Sequence, residues 1–324
     1  MAMRAKTVSS ADPVSIPEPD VRTFLVAGQK LTARRASPGL HLVATPIGNL
    51  GDITLRALET LAGVDVVACE DTRITHRLIE RYGISAQLKP YHEHNAAQAR
   101  PKILEKLAQG GSVALVSDAG TPLISDPGYK LVREAYDAGH EVIALPGASA
   151  VLAALALAAL PTDRFFFDGF LPSKQGARRA RLNELAAIDA TLVLFEAGSR
   201  IHNSLRDLAE VLGSRDAAVC RELTKLHQEV RRAPLATLAE TAETLDTRGE
   251  FVVVIGPPDP NAQAMTQDAL DDWLRDALQR DSVKDAVAQA VEISGRPRRE
   301  IYARALELAR QREAGNDESC DGED

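Results

Sequence analysis

The sequence predicts an α/β protein with two α/β domains and a small helical extension at the C-terminal end. Short apolar runs alternate with segments of helical periodicity, which is the pattern of sheets covered by helices. Several of these runs end in loops rich in Gly, Pro and carboxylates. The segment Gly256-Pro-Pro-Asp-Pro260 cannot continue a strand or a helix, and only helical patterns follow it. A chain of 324 residues exceeds the size of most single cores, which rarely pass about 250 to 300 residues.

The order of elements follows from these patterns. The first domain, residues 39–150, is predicted to hold a mostly parallel sheet with helices between its strands, near residues 40–45, 64–70, 87–91, 112–118 and 140–146. The second domain, residues 151–257, is predicted to hold strands near residues 164–170, 191–197, 217–223 and 250–256, and helices near 175–188 and 200–212.

Residues 261–312 are predicted to form a helix-turn-helix-like module. Two amphipathic segments, Ser282–Ser294 and Arg299–Leu308, flank a turn that contains Gly295. Residues 1–38 mix Ser, Pro and both charges, and residues 313–324 are acidic, so both ends are predicted to be disordered.

Composition leaves an RNA partner open and disfavours a membrane protein. The net charge is −8, but residues 313–324 carry six acidic and no basic residues, so the rest of the chain sums to −2. The longest apolar run, Ala148–Leu160, is shorter than the roughly 20 residues of a membrane span. The N-terminal residues lack the apolar core of a signal peptide. Cys69, Cys220 and Cys320 form no C-x-x-C pair, so we expect a reducing, cytoplasmic location and no zinc cluster.

The strand-end loops are the candidate ligand site. The run from Val113 stops in a loop that contains Ser117, Asp118 and Gly120, and open α/β sheets bind ligands at the carboxyl ends of their strands. A plain solvated turn is the alternative, since Gly and Pro are common in loops. The turn Gly48-x-x-Gly51 does not have the dinucleotide-binding spacing, so a nicotinamide cofactor is disfavoured.

Six ordered motifs carry a resemblance to a known family. They are Pro46-Ile-Gly-Asn-Leu-Gly-Asp-Ile-Thr-Leu-Arg-Ala57, Glu70-Asp-Thr-Arg73, Val116-Ser-Asp-Ala-Gly-Thr-Pro-Leu-Ile-Ser-Asp-Pro-Gly128, Leu145-Pro-Gly147, Gly169-Phe-Leu-Pro172 and Arg221-Glu-Leu-Thr-Lys225. From about Leu40 to Pro257 the chain resembles the ribosomal RNA small subunit methyltransferase I family, within the tetrapyrrole-methylase-like (class III methyltransferase) group. The resemblance implies a homodimer that methylates the 2′-hydroxyl of a cytidine in 16S ribosomal RNA of the small subunit.

The resemblance also implies S-adenosylmethionine as the methyl donor, folded between the two domains. The positions that match the family's donor contacts are Ile47, Val116, Ser117, Asp118, Thr121, Ser149, Ala150, Phe195, Glu196 and Leu223. The first loop departs from the group's usual Gly-x-Gly-Pro-Gly-Asp form. Ser149 is also placed to cap the helix that follows it.

The acceptor side is predicted from residue chemistry. Glu70, Asp71 and Arg73 offer a base or orienting carboxylate and a phosphate anchor, with an internal ion pair at a helix start as the alternative. The His92-x-His94 spacing lacks a third ligand, and methyl transfer from a sulfonium needs no metal, so no metal is expected.

The predicted RNA contacts are basic residues in two regions, namely Lys174, Arg178, Arg179, Arg296, Arg298 and Arg299. The alternatives are solvated helix faces for the first region and a packing helical hairpin for the second. Two other functions stay open at this stage: a tetrapyrrole C-methyltransferase, and a non-catalytic RNA-binding assembly factor that has kept the fold.

Overall fold

The computed structural model describes residues 21–259, 267–294 and 296–317, with only the backbone described for Glu292 and for 312–317. Contacts divide the chain into two compact units. The first holds the residues up to Ala153 together with Leu223–Leu226, and the second holds Ala154–Glu222 and the residues from His227 onward. The segment Leu223–Leu226 therefore belongs to the first unit, although it falls within the range predicted for the second domain.

The first unit is built on a parallel sheet. Its elements are β1 (Thr23–Val26), β2 (Gln29–Thr32), β3 (Gly39–Val43), α1 (Leu55–Gly63), β4 (Val66–Cys69), α2 (Thr72–Arg81), β5 (Leu88–Pro90), α3 (Ala96–Ala108), β6 (Ser112–Val116), α4 (Tyr129–Asp137), β7 (Val142–Leu145) and the start of α5 (Ala150–Ala158). The strand order is β5-β4-β6-β3-β7, and every adjacent pair is parallel. The predicted parallel sheet is confirmed, and all five strands end at the same edge of it.

Helices cover both faces of this sheet. On one face Leu58 and Leu61 of α1 pack with Val43 and Val67, and on the other face Leu131 of α4 belongs to a second cluster. Strands buried on both faces have continuous apolar sequences rather than alternating ones. This is why β3 and β6 could be recognised from their sequences.

A hairpin precedes the sheet and corrects the prediction that residues 1–38 are disordered. β1 and β2 pair across Ala27 and Gly28, which have φ of 50° and 79°, the left-handed values of a tight hairpin turn. Phe24 is buried in the core of the first unit, and Leu25 donates its backbone N–H to the carbonyl of Tyr82. The hairpin is therefore part of the fold, while residues 1–20 lie outside the described residues.

The second unit contains a mixed sheet. Its elements are β8 (Phe165–Phe170), α6 (Gln175–Ala186), β9 (Thr191–Ala197), α7 (Ile201–Leu212), β10 (Asp216–Arg221), β11 (Glu229–Pro234), α8 (Leu235–Glu240) and β12 (Glu250–Ile255). The order is β11-β10-β12-β9-β8, parallel for β8 with β9 and antiparallel elsewhere. The predicted strands and helices are present, and β11 is an edge strand that the sequence analysis missed.

Three helices follow: α9 (Gln267–Arg280), α10 (Val283–Ser294) and α11 (Arg298–Asp317). They share a core that includes Leu274, Val287 and Ile301. Asp271 of α9 is buried and accepts hydrogen bonds from Arg304 of α11. The backbone of α11 continues to Asp317, so the prediction that disorder begins at residue 313 is wrong for residues 313–317. Of the helices described, none is long and apolar enough to cross a membrane.

We predict that Phe24→Ala lowers the free energy of unfolding by about 3 kcal/mol, because it removes a buried aromatic side chain from the core of the first unit. Lys30→Ala, on the exposed strand of the same hairpin, is the control and should change stability by less than about 0.5 kcal/mol. Urea unfolding of the two variants measures the difference. Equal stability would mean that the hairpin is not packed on the core.

Candidate functional site

The loops that follow β3 and β6 are joined by backbone hydrogen bonds. The N–H of Thr45 donates to the carbonyl of Gly120 at 2.9 Å, and the N–H of Gly120 donates back to Thr45 at 3.0 Å. The Thr45 hydroxyl donates to the carbonyl of Ser117 at 3.1 Å. Gly120 has a φ of +83°, a conformation that favours glycine. The two loops therefore form one fixed surface at the carboxyl edge of the sheet.

The loop after β7 is attached to the same surface. The Thr121 hydroxyl donates to the carbonyl of Ala148 at 3.2 Å. A β-carbon added at Gly147 would lie 2.8 Å from that of Ala44, so these backbones approach closely. Ser149 accepts a long hydrogen bond from the N–H of Leu152, at 3.4 Å, in the first turn of α5. The capping role predicted for Ser149 is confirmed.

The predicted donor contacts of the first unit thus lie on converging loops. Ile47 borders Gly120, since a β-carbon at Gly120 would lie 3.3 Å from its Cγ2 atom. The other members of the set lie at the end of β6, in its loop, at the start of α5 and in the Leu223–Leu226 segment, namely Val116, Ser117, Asp118, Thr121, Ser149, Ala150 and Leu223. Their contact with a donor stays a prediction.

Carboxylates gather at the ends of β4 and β6. Asp118 accepts a hydrogen bond from the backbone N–H of Asp71 at 2.9 Å. Burial raises the pKa of Asp118, and the charge of Asp71 raises it further. Burial also raises the pKa of Glu70, to which the charges of Asp118 and Asp126 add. For Asp126 burial again raises the pKa, against a hydrogen bond from Ser117 that lowers it. This end of the sheet therefore favours a cation.

Asp71 and Arg73 have local structural roles. Asp71 is the N-cap of α2 and accepts from the backbone N–H of Arg73 at 2.8 Å. The Arg73 guanidinium donates to both oxygens of the same carboxylate, and these hydrogen bonds hold the pKa of Asp71 at about 2. Asp71 and Arg73 therefore form the ion pair at a helix start that was the alternative to a catalytic role. Glu70 is the carboxylate of the motif that is left for chemistry.

The loop after β6 contains strained backbone. Leu123 and Ser125 have φ of 76° and 64°, which non-glycine residues seldom adopt. Such conformations cost about 1 to 3 kcal/mol each and persist where surrounding contacts enforce them, often at functional sites. Asp126, which the sequence analysis did not select, follows directly and joins the carboxylate cluster. Its position beside Asp118 was not visible from the sequence, because the path of the loop between them decides it.

A lysine from the segment Leu223–Leu226 lies on the first loop. A β-carbon added at Gly48 would lie 2.3 Å from Cγ and 2.9 Å from Cε of Lys225. Gly48 has a φ of +154°. This lysine ends the motif Arg221-Glu-Leu-Thr-Lys225, in which only the buried Leu223 was a predicted site residue.

The two predicted contacts on β9 differ. Glu196 is buried, and its carboxylate accepts from Ser204 at 2.5 Å and from the backbone N–H of Ala197 at 2.8 Å, besides an ion pair with Arg200 at 2.6 Å. These partners engage both carboxylate oxygens, and the donor contact of Glu196 stays a prediction. We retain Phe195, which is half-buried.

The ring of Phe195 belongs to an aromatic cluster on the opposite face of the strand. It meets the rings of Phe167 and Phe170 edge to face, with centroids 4.8 and 5.5 Å away. A register irregularity between Phe167 and Gly169 allows both phenylalanines to contact it, although they are three residues apart. Phe170 remains exposed.

The basic run on α6 is mostly engaged in ion pairs. Arg178 is buried, and its guanidinium contacts the buried Asp207 at 2.5 Å. Arg179 pairs with Asp207 and with Glu210. Although burial opposes it, hydrogen bonds from Arg179, Gln175 and Arg178 lower the pKa of Asp207. Arg178 is therefore part of the structure, which corrects its prediction as an RNA contact, and Lys174 is the exposed cation of the run.

The other predicted RNA contacts lie at the turn before α11. Arg298 and Arg299 are exposed in its first turn, whereas the Arg296 guanidinium contacts the side chain of Gln267. Their role toward RNA stays a prediction.

In the part of the chain that the structure describes, no group of three or more His, Cys, Asp or Glu residues is arranged to hold a metal ion. Asn95 precedes α3, but its side chain accepts from the N–H of His92 at 2.9 Å and donates to the carbonyl of Pro90 instead of capping the helix.

Two family models match this chain. The model described as Tetrapyrrole (Corrin/Porphyrin) Methylases matches residues 39–239, which include the strand-end loops. The model described as RsmI C-terminal HTH domain matches residues 264–309, which include most of the three C-terminal helices.

Individual proteins match over most of the chain. A ribosomal RNA small subunit methyltransferase I of Mesorhizobium japonicum is 49% identical over 286 residues, covering 88% of this chain and 97% of the relative. The protein of the same name from Escherichia coli O157:H7 is 43% identical over 285 residues, covering 86% and 98%. A solved cobalt precorrin-4 methyltransferase has a TM-score of 0.52 at 18% identity, covering 67% of this chain and 94% of that one, which shows a shared fold.

The buried ion pair gives a stability prediction. Arg178→Ala should lower the free energy of unfolding by about 3 kcal/mol, because it leaves the buried Asp207 with fewer partners. Lys174→Ala, at the exposed start of the same helix, should change it by less than about 0.5 kcal/mol. Urea unfolding compares the two, and equal stability would return Arg178 to the candidates for RNA contact.

Proposed function

Because the chain belongs to the ribosomal RNA small subunit methyltransferase I family of tetrapyrrole-type methylases, we propose that it methylates a ribose 2′-hydroxyl of small-subunit (16S) ribosomal RNA, with S-adenosylmethionine as donor. The observation that carries the proposal at the level of the site is the convergence of three strand-end loops beside a carboxylate cluster. We infer that the target nucleotide is a cytidine, as the sequence resemblance implies.

The residues present fit this donor. When bound, S-adenosylmethionine supplies an electrophilic methyl group on a cationic sulfonium. Small residues at Gly120 and Gly147 bring loop backbone close together, so that its N–H and carbonyl groups can hold polar groups of a ligand. We assign donor contacts in the first unit to Ile47, Val116, Ser117, Asp118, Thr121, Ser149, Ala150 and Leu223. We keep Phe195 as a proposed donor contact because the sequence resemblance implies it.

The carboxylates match the charge of the donor. Asp118, Glu70 and Asp126 are partly withdrawn from water, and a cation beside them would relieve their mutual repulsion. A cationic ligand is therefore bound more strongly than a neutral ligand of the same shape.

Glu70 is the proposed base. Methyl transfer to a hydroxyl forms an O–C bond and releases the hydroxyl proton, which a positioned carboxylate can accept. The pKa of Glu70 is raised by burial and by neighbouring charges, which makes it a stronger base than an ordinary carboxylate. Asp71 and Arg73 are hydrogen-bonded to each other, and we propose that they position the start of α2.

The RNA partner is proposed to contact exposed cations. Arg298 and Arg299 lie at the start of α11, where backbone N–H groups also favour phosphate. Lys174 and the partly exposed Arg179 extend the set, as does Arg296 at the turn before α11. We propose the ribosomal RNA or the assembled small subunit as the substrate, and with it a cytoplasmic location, and we infer a homodimer from the resemblance.

The two alternatives have less support. The likeness to a tetrapyrrole enzyme is one of fold at 18% identity, whereas the two relatives reported above, which are named for ribosomal RNA, are 49% and 43% identical. A non-catalytic assembly factor would not need the carboxylates and strained backbone of the strand-end loops.

The function is tested by mapping ribose methylation in small-subunit RNA from cells with and without the protein. We expect one 2′-O-methyl group to disappear with the protein, to return with the wild type and to stay below about 1% with Glu70→Gln, because a base contributes about 10²- to 10⁴-fold. Glu59→Gln, on the outer face of α1, is the control. An unchanged methylation map would refute the proposed function. Full activity of Glu70→Gln would refute only the assignment of Glu70 as the base.

The affinity for S-adenosylmethionine should fall as the pH falls. Carboxyls with a raised pKa take up protons above the ordinary range near 4, and the neutral forms no longer attract a sulfonium. Relative to the neutral thioether S-adenosylhomocysteine, we expect a loss of about tenfold, the size of one partly screened charge interaction. Calorimetric titration of both ligands from pH 7.5 downward measures it. If both ligands show the same pH dependence, the carboxylates do not interact with the sulfonium.

The contribution of these carboxyls to folding stability changes with pH in the opposite direction to donor affinity. A carboxyl whose pKa is raised by folding stabilises the protein at low pH, and this contribution is lost as the pH rises through the raised pKa. Without ligand, Asp126→Asn should therefore gain stability relative to the wild type as the pH rises, which thermal unfolding can follow as an internal check.

A further inference from the structure

We propose that Lys225 is an RNA-binding residue of the active site, which holds a phosphate next to the target ribose while its methylene stem rests on Gly48. This inference deepens the proposed function and rests on it. It concerns a residue that neither the donor contacts nor the C-terminal cations include.

The stem of Lys225 is seated on backbone. A β-carbon at Gly48 would lie 2.3 Å from Cγ, 2.9 Å from Cε and 3.1 Å from Cδ of Lys225, so three carbons of the side chain run across the glycine. Real Cβ atoms essentially never come this close to another heavy atom, and the φ of +154° also favours glycine. Gly48 therefore provides a flat surface over which a long side chain extends.

The turn that carries Lys225 is held in an unusual conformation. Glu222 and Thr224 have φ of 49° and 64°, in the left-handed region that costs non-glycine residues free energy. The Glu222 carboxylate accepts from the N–H of Glu250 at 3.0 Å, and Leu223 is buried. The backbone that precedes Lys225 is thus held by contacts of Glu222 and Leu223.

Gly48, on which the stem of Lys225 lies, is next in sequence to a proposed donor contact. Ile47 precedes Gly48 and borders Gly120, whose neighbour Thr121 is bonded to the loop after β7. A group that binds Lys225 therefore lies beside the surface to which we assign the donor.

The charges around the site indicate which chemical group binds Lys225. Glu70, Asp118 and Asp126 place negative charge at the edge of the sheet, and a polyanion that brings its ribose there is repelled. The charge of Arg73 is balanced by Asp71 and cannot fully offset this repulsion. A lysine ammonium is a compact point charge that suits a phosphate, whereas a bidentate carboxylate site would favour arginine. A phosphate of the RNA is the ligand that needs a cation at this place.

The test compares Lys225→Met, which keeps the apolar stem, with Lys225→Arg, which keeps the charge. Lys102→Met, on the exposed side of α3, is the control. With small ribosomal subunits as substrate, we expect Lys225→Met to raise KM about tenfold, as for the loss of a charged hydrogen bond. The dependence of log KM on log salt should become shallower by about 0.7 for a single-stranded contact. Donor affinity and kcat should stay the same, and Lys225→Arg should recover most of the KM.

A second pair of variants tests the seat. Gly48→Ala should displace the stem and raise KM in the same direction, while Gly51→Ala, in the same loop but without positive φ, should not. Thermal unfolding of each variant checks that it is folded.

Three outcomes would overturn the proposal. A loss of donor affinity in Lys225→Met would assign the ammonium to the donor's carboxylate. A fall in kcat with a shifted pH profile would make Lys225 the base. A KM equal to that of Lys102→Met would leave it without a role in RNA binding. If the wild type does not methylate small-subunit RNA, the proposed function fails first, and the two failures are distinguishable.

Discussion

The two hydrogen bonds between Thr45 and Gly120 are the constraint on which the rest of the site depends. They tie together the loops that leave two neighbouring parallel strands, and they do so through backbone atoms. The bonding requires a backbone conformation at Gly120 that favours glycine, and a β-carbon there would press against Ile47. Because Thr121 is then held against Ala148, the third loop is fixed by the same arrangement. One glycine thus determines the relative positions of three strand ends.

The site also has to reconcile two ligands of opposite charge. Carboxylates near the ends of β4 and β6 favour a cation, and burial raises the pKa of three of them. The same charges oppose a nucleic acid. Acidic groups lie at the ends of β4 and β6, and the cations that we propose for RNA binding, Lys225, Arg298 and Arg299, belong to other segments of the chain. The formal charge of the whole chain says little about RNA binding for this reason.

Much of the fold could be predicted because buried parallel strands such as β3 and β6 have continuous apolar sequences, which end at recognisable loops. The hairpin at Thr23–Thr32 and the edge strand β11 were missed for the opposite reason. The two hairpin strands have only four residues each, and the second, Gln29-Lys-Leu-Thr32, is mostly polar. The strand β11, Glu229-Val-Arg-Arg-Ala-Pro234, has the composition of a loop. The strand-end loops of the candidate site could also be located. The partners of individual side chains could not, because Asp207, which binds Arg178, and Ser204, which binds Glu196, come from α7, and their approach depends on packing.

A sequence motif does not show whether a basic residue in it forms a structural ion pair or contacts a ligand. Arg178, Arg221 and Arg304 each make an ion pair with an aspartate that is at least half-buried, and a guanidinium suits this role because its planar fork of donors matches a carboxylate. Arg221 and Lys225 belong to the same five-residue motif, yet the first is buried against Asp246 and the second lies across Gly48. A count of basic residues treats them alike. An arginine whose guanidinium already has a carboxylate partner has less capacity to bind a phosphate, so burial and ion pairing, and not the number of basic residues in a motif, decide which of these cations can contact RNA.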